Sequence, residues 1–437
     1  MSDVNVPVGY KKTEIGFIPN DWNVMTIHDI ASFSGGSQPP KSTFISSPRD
    51  SYIRLIQIRD YKTSKFESYI PEYLANKKCN STDIMIGRYG PPIFQILRGI
   101  DGAYNVALIK ATPKSGINQE YLYYFLKTEK LFQLMEVLSR RSSGQTGVDL
   151  PALKSYPIPL PKIEEQTAIV TALSDVDNLI QSLERLISKK EAIKTATMQQ
   201  LLTGKSRLPE FATCEDGSKK GSKQTDLGQT PEDWEVKTVF ELAERNRFNF
   251  NDGDWVESEH ITNHGIRLLQ TGNIGTGHFV DKDNKKYISE HSFMQLNCKL
   301  LEVGDLLICR LAEPAGRACI FKGVKEEKAI TSVDVTIFRP PLDNVNREFY
   351  LHVFSSSDWF NSINEQVGGT THKRISRSAL GSIYVPYPVY EEQTAIATIL
   401  SDMDAEIQAL NNRLTKTQDI KQGMMQQLLT GKVRLAY

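Results

Sequence analysis

The sequence predicts an α+β protein: two pseudo-symmetric globular target-recognition domains separated by two long helices that form an antiparallel coiled coil. Three observations carry this reading. Residues 164–208 return at 391–435 without a gap and with 27 positions identical. Each copy places apolar residues at alternating steps of four and three, the signature of a heptad seam. Each copy also follows a stretch of short β-rich runs broken by turn residues. The expected order is a domain at 1–160, a helix at 161–206, a linker at 207–225, a second domain at 226–387 and a second helix at 388–437.

The repeat continues upstream, more weakly. Asp21-Trp22 returns as Asp233-Trp234, Ile53-Arg54-Leu55-Ile56-Gln57 as Ile266-Arg267-Leu268-Leu269-Gln270, and Asp83 to Arg88 as Asp305 to Arg310. Ile158-Pro159-Leu160-Pro161 returns as Val385-Pro386-Tyr387-Pro388. The helices match closely while the globular parts diverge. Plain duplication with drift is the bland explanation; two copies of one scaffold tuned to two targets explains the unequal divergence.

In the first helix the seam runs Ile169, Leu173, Val176, Ile180, Leu183, Ile187. In the second it runs Ile396, Leu400, Met403, Ile407, Leu410, Leu414. Beyond Ile187, Lys190 and Lys194 fall on its line, and the apolar stripe is expected to move to Ile193 and Leu201. Pro161 and Pro388 precede the helices, and Gly204 and Gly431 suit left-handed caps at their ends. About 40 residues at 1.5 Å each make a helix of ~60 Å. A helix so long with one apolar seam needs a partner, and its own copy is the obvious one. An antiparallel pair sets the two domains at opposite ends; packing of each helix on its own domain is the alternative. Strands are expected at 52–58, 83–88, 93–97 and 103–111, helices at 119–139 and 348–366, and a flexible linker at 218–224.

Composition narrows the class. A chain of 437 residues, 40% hydrophobic and 24% charged, is a soluble globular protein of several domains. It has no apolar run of ~18 residues and no secretory signal. Cys79, Cys214, Cys298, Cys309 and Cys319, an odd number without paired spacing, read as reduced thiols of a cytoplasmic protein. The net charge of zero counts against a lone nucleic-acid binder. Residues 1–161 hold 19 basic and 14 acidic side chains, whereas 225–385 hold 18 and 23. Any DNA contact must therefore come from local basic patches, or share its charge with a cationic partner.

No catalytic residue and no metal site are expected. The Gly204-Lys205 sequence fails as a phosphate loop because Gln199 stands where the first glycine belongs. His260 and His264 lack companion ligands. No methyltransferase signature is present.

The chain resembles the specificity (S) subunit of type I restriction–modification enzymes over essentially its whole length. The resemblance rests on Gly9-Tyr10-Lys11-Lys12-Thr13-Glu14-Ile15-Gly16 with Ile18-Pro19 and Trp22. It rests also on the two proline segments leading to Glu-Glu-Gln, and on heptad helices ending in Gln-Gln-Leu-Leu-Thr-Gly-Lys. It implies a non-catalytic subunit in which each globular domain reads one half of a bipartite double-stranded DNA site. The helices would space the domains and dock two modification (methyltransferase) subunits, which restriction subunits join. S-adenosylmethionine, ATP and Mg would sit on those partners, with no cofactor on this chain. A stand-alone DNA-binding regulator and a coiled-coil assembly scaffold are the alternatives.

Base readout favours Arg, Lys, Asn and Gln; phosphate contacts add hydroxyls and Gly-rich backbone. One candidate set follows a repeated strand: Gln57, Arg59 and Asp60, then Gln270, Thr271 and Asn273. The glutamines serve equally well as sheet-edge residues. A second set lies ahead of each helix: Arg140, Arg141, Ser142, Ser143, Gln145 and Thr146, then Thr370, Thr371, His372, Lys373 and Arg374. A plain surface loop is the alternative there. Arg88 and Arg310 join them, with Tyr89 as a stacking neighbour, and 39–49 is a further candidate loop.

Overall fold

A computed structural model describes residues 6–141, 147–312, 314–367 and 373–435. The chain forms two compact units: Met1–Glu184 with Asn412–Tyr437, and Arg185–Asn411. Each unit thus contains one globular part and a piece of both long helices, Ile163–Leu201 and Tyr390–Leu428.

In the first unit an antiparallel sheet runs in the order Ala31–Gly35, Leu108–Pro113, Ile84–Gly87, Gln95–Leu97. A second sheet runs Tyr69–Pro71, Tyr52–Ile56, Gly102–Tyr104, Lys78–Cys79, with its middle pair parallel. The second unit repeats the first sheet and three strands of the second, whose fourth strand lies on the opposite edge. One sheet is Phe250–Asp252, Val335–Phe338, Leu306–Cys309, Ala318–Ile320; the other is Ile261–Thr262, Lys286–Ile288, Ile266–Leu269, Ala329–Thr331.

Side chains alternate across a strand, so a strand covered on both faces must be apolar at every position. Leu306 and Ile308 enter a core with Phe349, Phe354 and Trp359. Leu307 and Cys309 enter the opposite one with Leu269, Ile274 and Phe321. Ile84 and Ile86 likewise face Tyr121, Leu122 and Phe125, while Met85 faces Ile56, Tyr104 and Leu108. Each expected helical region is a pair of helices, Gln119–Leu126 with Glu129–Arg141 and Arg347–Val353 with Ser357–Gln366.

The stretch 218–224 is not a free linker. Ser222–Thr225 pairs with Gly228–Pro231, and Lys219 bridges Thr213. Gly228, at φ +88°, supplies the left-handed turn position that closes this polar hairpin.

The long helices pair antiparallel within each unit. In the second, Lys190 meets Glu406 at 2.7 Å and Lys194 meets Asp404 at 2.5 Å, numbers running in opposite directions. In the first, Lys421 meets Asp177 at 2.5 Å. Ile169, Leu173, Leu183, Ile187, Ile396 and Leu400 are buried. Val176, Ile180, Met403, Ile407, Leu410 and Leu414 are half-buried. The stripe does not move to Ile193, which is 41% exposed. The heptad line instead continues through Lys190 and Lys194, because acidic partners on the facing helix receive their ammonium groups.

The helix ends dock on the start of each globular part. Trp22, fully buried, donates from its indole to Glu165 at 2.9 Å, and Arg434 donates to both Glu165 and Asp21. Trp234 donates to Glu392 at 2.9 Å, and Arg207 donates to both Glu392 and Asp233. Burial alone would raise the Asp233 carboxyl; the hydrogen bonds and charges of Arg207 and Lys220 outweigh it and hold it at about 2. Gly204 (φ +68°) and Gly431 (φ +70°) end the helices, and a Cβ there would stand 2.4 Å from Pro231 and 2.5 Å from Pro19. The glycines therefore cap the helix and permit close approach at once.

The Glu-Glu-Gln motif is explained locally. Buried Gln166 donates to Pro161 O at 3.0 Å and accepts from Asn118 N at 2.8 Å. Gln393 repeats this with Pro388 at 2.9 Å and Asn346 at 2.9 Å. No helix among the described residues is long and apolar enough to cross a membrane.

Candidate nucleic-acid interface

The strands Tyr52–Ile56 and Ile84–Gly87 end side by side. Asn105 N donates to Ile56 O at 3.1 Å, and Arg88 N donates to Ala107 O at 2.8 Å, so one short segment ties both ends. The second unit repeats the tie: Ser332 N donates to Leu269 O at 2.9 Å, and Arg310 N to Asp334 O at 2.8 Å. The described residues that follow the pre-helix candidates join the same edge, Val148 N donating to Arg88 O at 3.1 Å and Ile375 N to Arg310 O at 3.0 Å. Among the described residues, the chain after Gln57, Arg88 and Val148 thus meets at one edge of the first unit, and the chain around Gln270, Arg310 and Ile375 at one edge of the second.

Within that edge the candidates divide. Gln57 and Arg59 sit on a short turn; Arg59 is exposed and stands over the Phe66 ring at 5.6 Å. Asp60 is a correction. Its side chain is buried and accepts the Gln57 N–H at 2.8 Å, and burial pushes its carboxyl up. Asn273 is a correction for the same reason, buried while accepting from Gln270 N at 2.9 Å and donating to Val280 O at 2.8 Å. Both residues shape the turn rather than face solvent. Gln270 and Thr271 remain half-buried at its rim. With Lys282 and Asn284 they line a polar cavity of about 270 Å³.

Arg88 is exposed and stacks on half-buried Tyr89 at 5.3 Å. Arg310, its counterpart, is a further correction. It is buried, donates to Val333 O at 2.6 Å and Ile375 O at 3.3 Å, and lies 3.1 Å from Asp252. Burial pushes its guanidinium pKa down. The unit spends this side chain on holding its own loops. Arg140 is exposed and pairs with Glu136 at 2.7 Å. Lys373 is exposed, and Arg374 pairs with Asp334 at 3.0 Å. Ser142, Ser143, Gln145, Thr146, Thr370, Thr371 and His372 lie outside the described residues, as does the Arg141 side chain. In the 39–49 segment, Ile45 N donates to Tyr69 O at 3.0 Å, which anchors it to the sheet.

Sequence reasoning missed Arg317. Its guanidinium donates to Ile274 O at 2.7 Å, Thr271 O at 2.9 Å, Pro314 O at 2.7 Å and Leu311 O at 3.1 Å. It therefore fixes the 271–274 turn against the chain leaving Arg310. Its register in the strand pairing matches that of Gln95, whose side chain among the described residues donates to Pro92 O at 2.9 Å and to no other group. The recurrence of Trp, Glu and Arg in both copies was a usable signal for the docking clusters; Arg317 left none, since the repeat does not conserve it.

A family model described as the type I restriction modification DNA specificity domain matches residues 19–193 and again 231–421. The MjaVIII type I restriction enzyme specificity subunit of Methanocaldococcus jannaschii is 26% identical over 427 residues, 96% of this chain and 94% of that one. Among solved structures, the type I system S subunit from M. genitalium has a TM-score of 0.56 at 14% identity, over 93% of this chain and 96% of its own. A chain from a structure of type I R-M complex assembly and conformational transition has a TM-score of 0.55 at 15% identity, over 95% and 99%. At those identities the solved structures speak to the fold.

Proposed function

Because this chain belongs to the type I restriction–modification DNA specificity family and carries its domain twice, we propose that it chooses the DNA sequence on which a type I enzyme acts. It does so without catalytic residues of its own, in the cytoplasm. Each globular part reads one half of a bipartite duplex site. The long helices dock two modification subunits, restriction subunits join them, and S-adenosylmethionine, ATP and Mg belong to those partners.

One observation carries the reading. The same tied edge recurs in both units with a matched glutamine, Gln57 and Gln270, yet the side chains around it differ: Arg59 and Arg88 are exposed in one, whereas the other has half-buried Thr271, exposed Lys373 and a buried Arg310. Direct readout distinguishes bases by such differences, Arg or Lys toward guanine and Gln or Asn toward adenine. Two equivalent scaffolds with unlike edges fit two unlike half-sites. The repeat also offers two equivalent surfaces to two identical partners.

Reconstitution tests this. The modification subunit with this chain should methylate a bipartite sequence, and should lose that activity when the chain is omitted. Equal methylation without the chain contradicts the proposal.

A further inference from the structure

We propose that the second unit carries a DNA-phosphate site beside its reading edge, formed by loop 244–249 and segment 373–377. The inference rests on the specificity reading above and adds a surface that no sequence motif marks. Residues 225–385 carry 18 basic and 23 acidic side chains, so attraction to phosphate must be concentrated locally. It is concentrated here. Arg245, Arg247, Arg374 and Arg377 gather around the carboxylates of Glu241, Asp252 and Asp334, and buried Arg310 already offsets the charge of Asp252. Asp252 lies 3.1 Å from Arg310 and 3.6 Å from Arg377, linking the reading edge to the new surface.

Arg245, Arg247 and Arg377 line a cleft of about 500 Å³ together with Phe240, Phe250 and Ser378. Among the described residues Arg247 makes no salt bridge, and its neighbour Phe248 is 85% exposed. A large aromatic exposed to water next to Arg247 matches an apolar contact with a base step better than a fold requirement. The loop leaves the short helix Val239–Leu242 through two successive left-handed non-glycine residues, Glu244 (φ 55°) and Arg245 (φ 54°). Such backbone is uncommon and concentrates in functional loops. The first unit has no counterpart. The chain ahead of its strand Ala31–Gly35 reads Ile27-His28-Asp29-Ile30, without arginine, and that domain is already basic.

Phosphate contacts fix orientation and carry no sequence information, which sets the test. The complex with the modification subunit is titrated with salt on two duplexes, the methylated site and a scrambled one of equal length. The R245Q/R247Q variant should weaken both duplexes by the same factor and leave the methylated sequence unchanged. Two lost phosphate contacts reduce the salt slope by about 1.8, so the variant should lose roughly tenfold less affinity than wild type between 50 and 200 mM salt. R247K, which keeps the charge at an exposed position, should retain the wild-type slope when paired with intact Arg245. An unchanged slope in the double variant overturns the site, as does failure of the complex to assemble, which would mark a protein contact instead. If the wild-type complex itself fails to prefer its methylated duplex, the specificity reading fails rather than this site.

Discussion

Replacing Arg207 by alanine tests how the helix ends are held. The Arg207 side chain is 9% exposed and makes bonds of 2.6 and 2.8 Å to Glu392 and of 2.8 and 3.0 Å to Asp233. The Glu392 side chain is 1% exposed, so removing the guanidinium leaves its charge buried beside the Trp234 indole. Breaking a buried pair by deleting one partner costs roughly 3–5 kcal/mol, and the retained indole bond places this case near 3 kcal/mol. For a unit of this size that lowers Tm by about 6–12 °C. Arg434 makes the equivalent contacts to a carboxylate as deeply buried, but its own side chain is 35% exposed, so water can reach Glu165 once the guanidinium is gone and Arg434→Ala should cost less than Arg207→Ala. Calorimetry of the full chain, with Trp fluorescence reporting each cluster, measures both. A smaller loss for Arg207→Ala than for Arg434→Ala would refute the burial argument.

Three further outcomes are expected. Leu183→Ala should cost about 2–3 kcal/mol in urea unfolding and Ile193→Ala under about 0.5, since the seam runs through the first and leaves the second exposed; the reverse order would restore the shifted stripe. His352, with burial as the main cause and Lys194 adding to it against Asp404, is held at about 4 and stays neutral in the fold. Its contribution is full above pH ~6.5 and is lost as pH falls toward 4, up to about 3 kcal/mol, and His352→Gln should flatten that dependence; parallel stability curves for the two proteins would rule this out. Arg317→Lys should relax base preference by about tenfold in the half-site read by the second domain alone, because a single ammonium cannot tie four carbonyls; a uniform loss over both halves in methylome sequencing would contradict it.

Much of the architecture was legible because the repeat wrote it twice. The seam leucines, the terminal glycines and the repeated strands ahead of Gln57 and Gln270 follow from periodicity and turn chemistry alone. Periodicity failed where charge replaced it: Lys190 and Lys194 hold the seam through acids on the facing helix, and only the pairing reveals those acids. The candidate DNA residues were legible by type and not by role. Gln57, Asp60, Gln270 and Asn273 recur together, yet burial assigns Asp60 and Asn273 to the turn. Arg88 and Arg310 occupy one position in the repeat, but Asp252 and two carbonyls claim the second. Arg247 and Phe248 lie where the copies diverge, so no repeat drew attention to them.

The central claim is that each globular part reads its own half of the site. Its most direct measurement is single-molecule methylome sequencing of a complex whose residues 226–387 come from a relative of different specificity. One half of the methylated sequence should change to the donor's and the other should stay as it was. An unchanged sequence, or a change in both halves, would contradict the account.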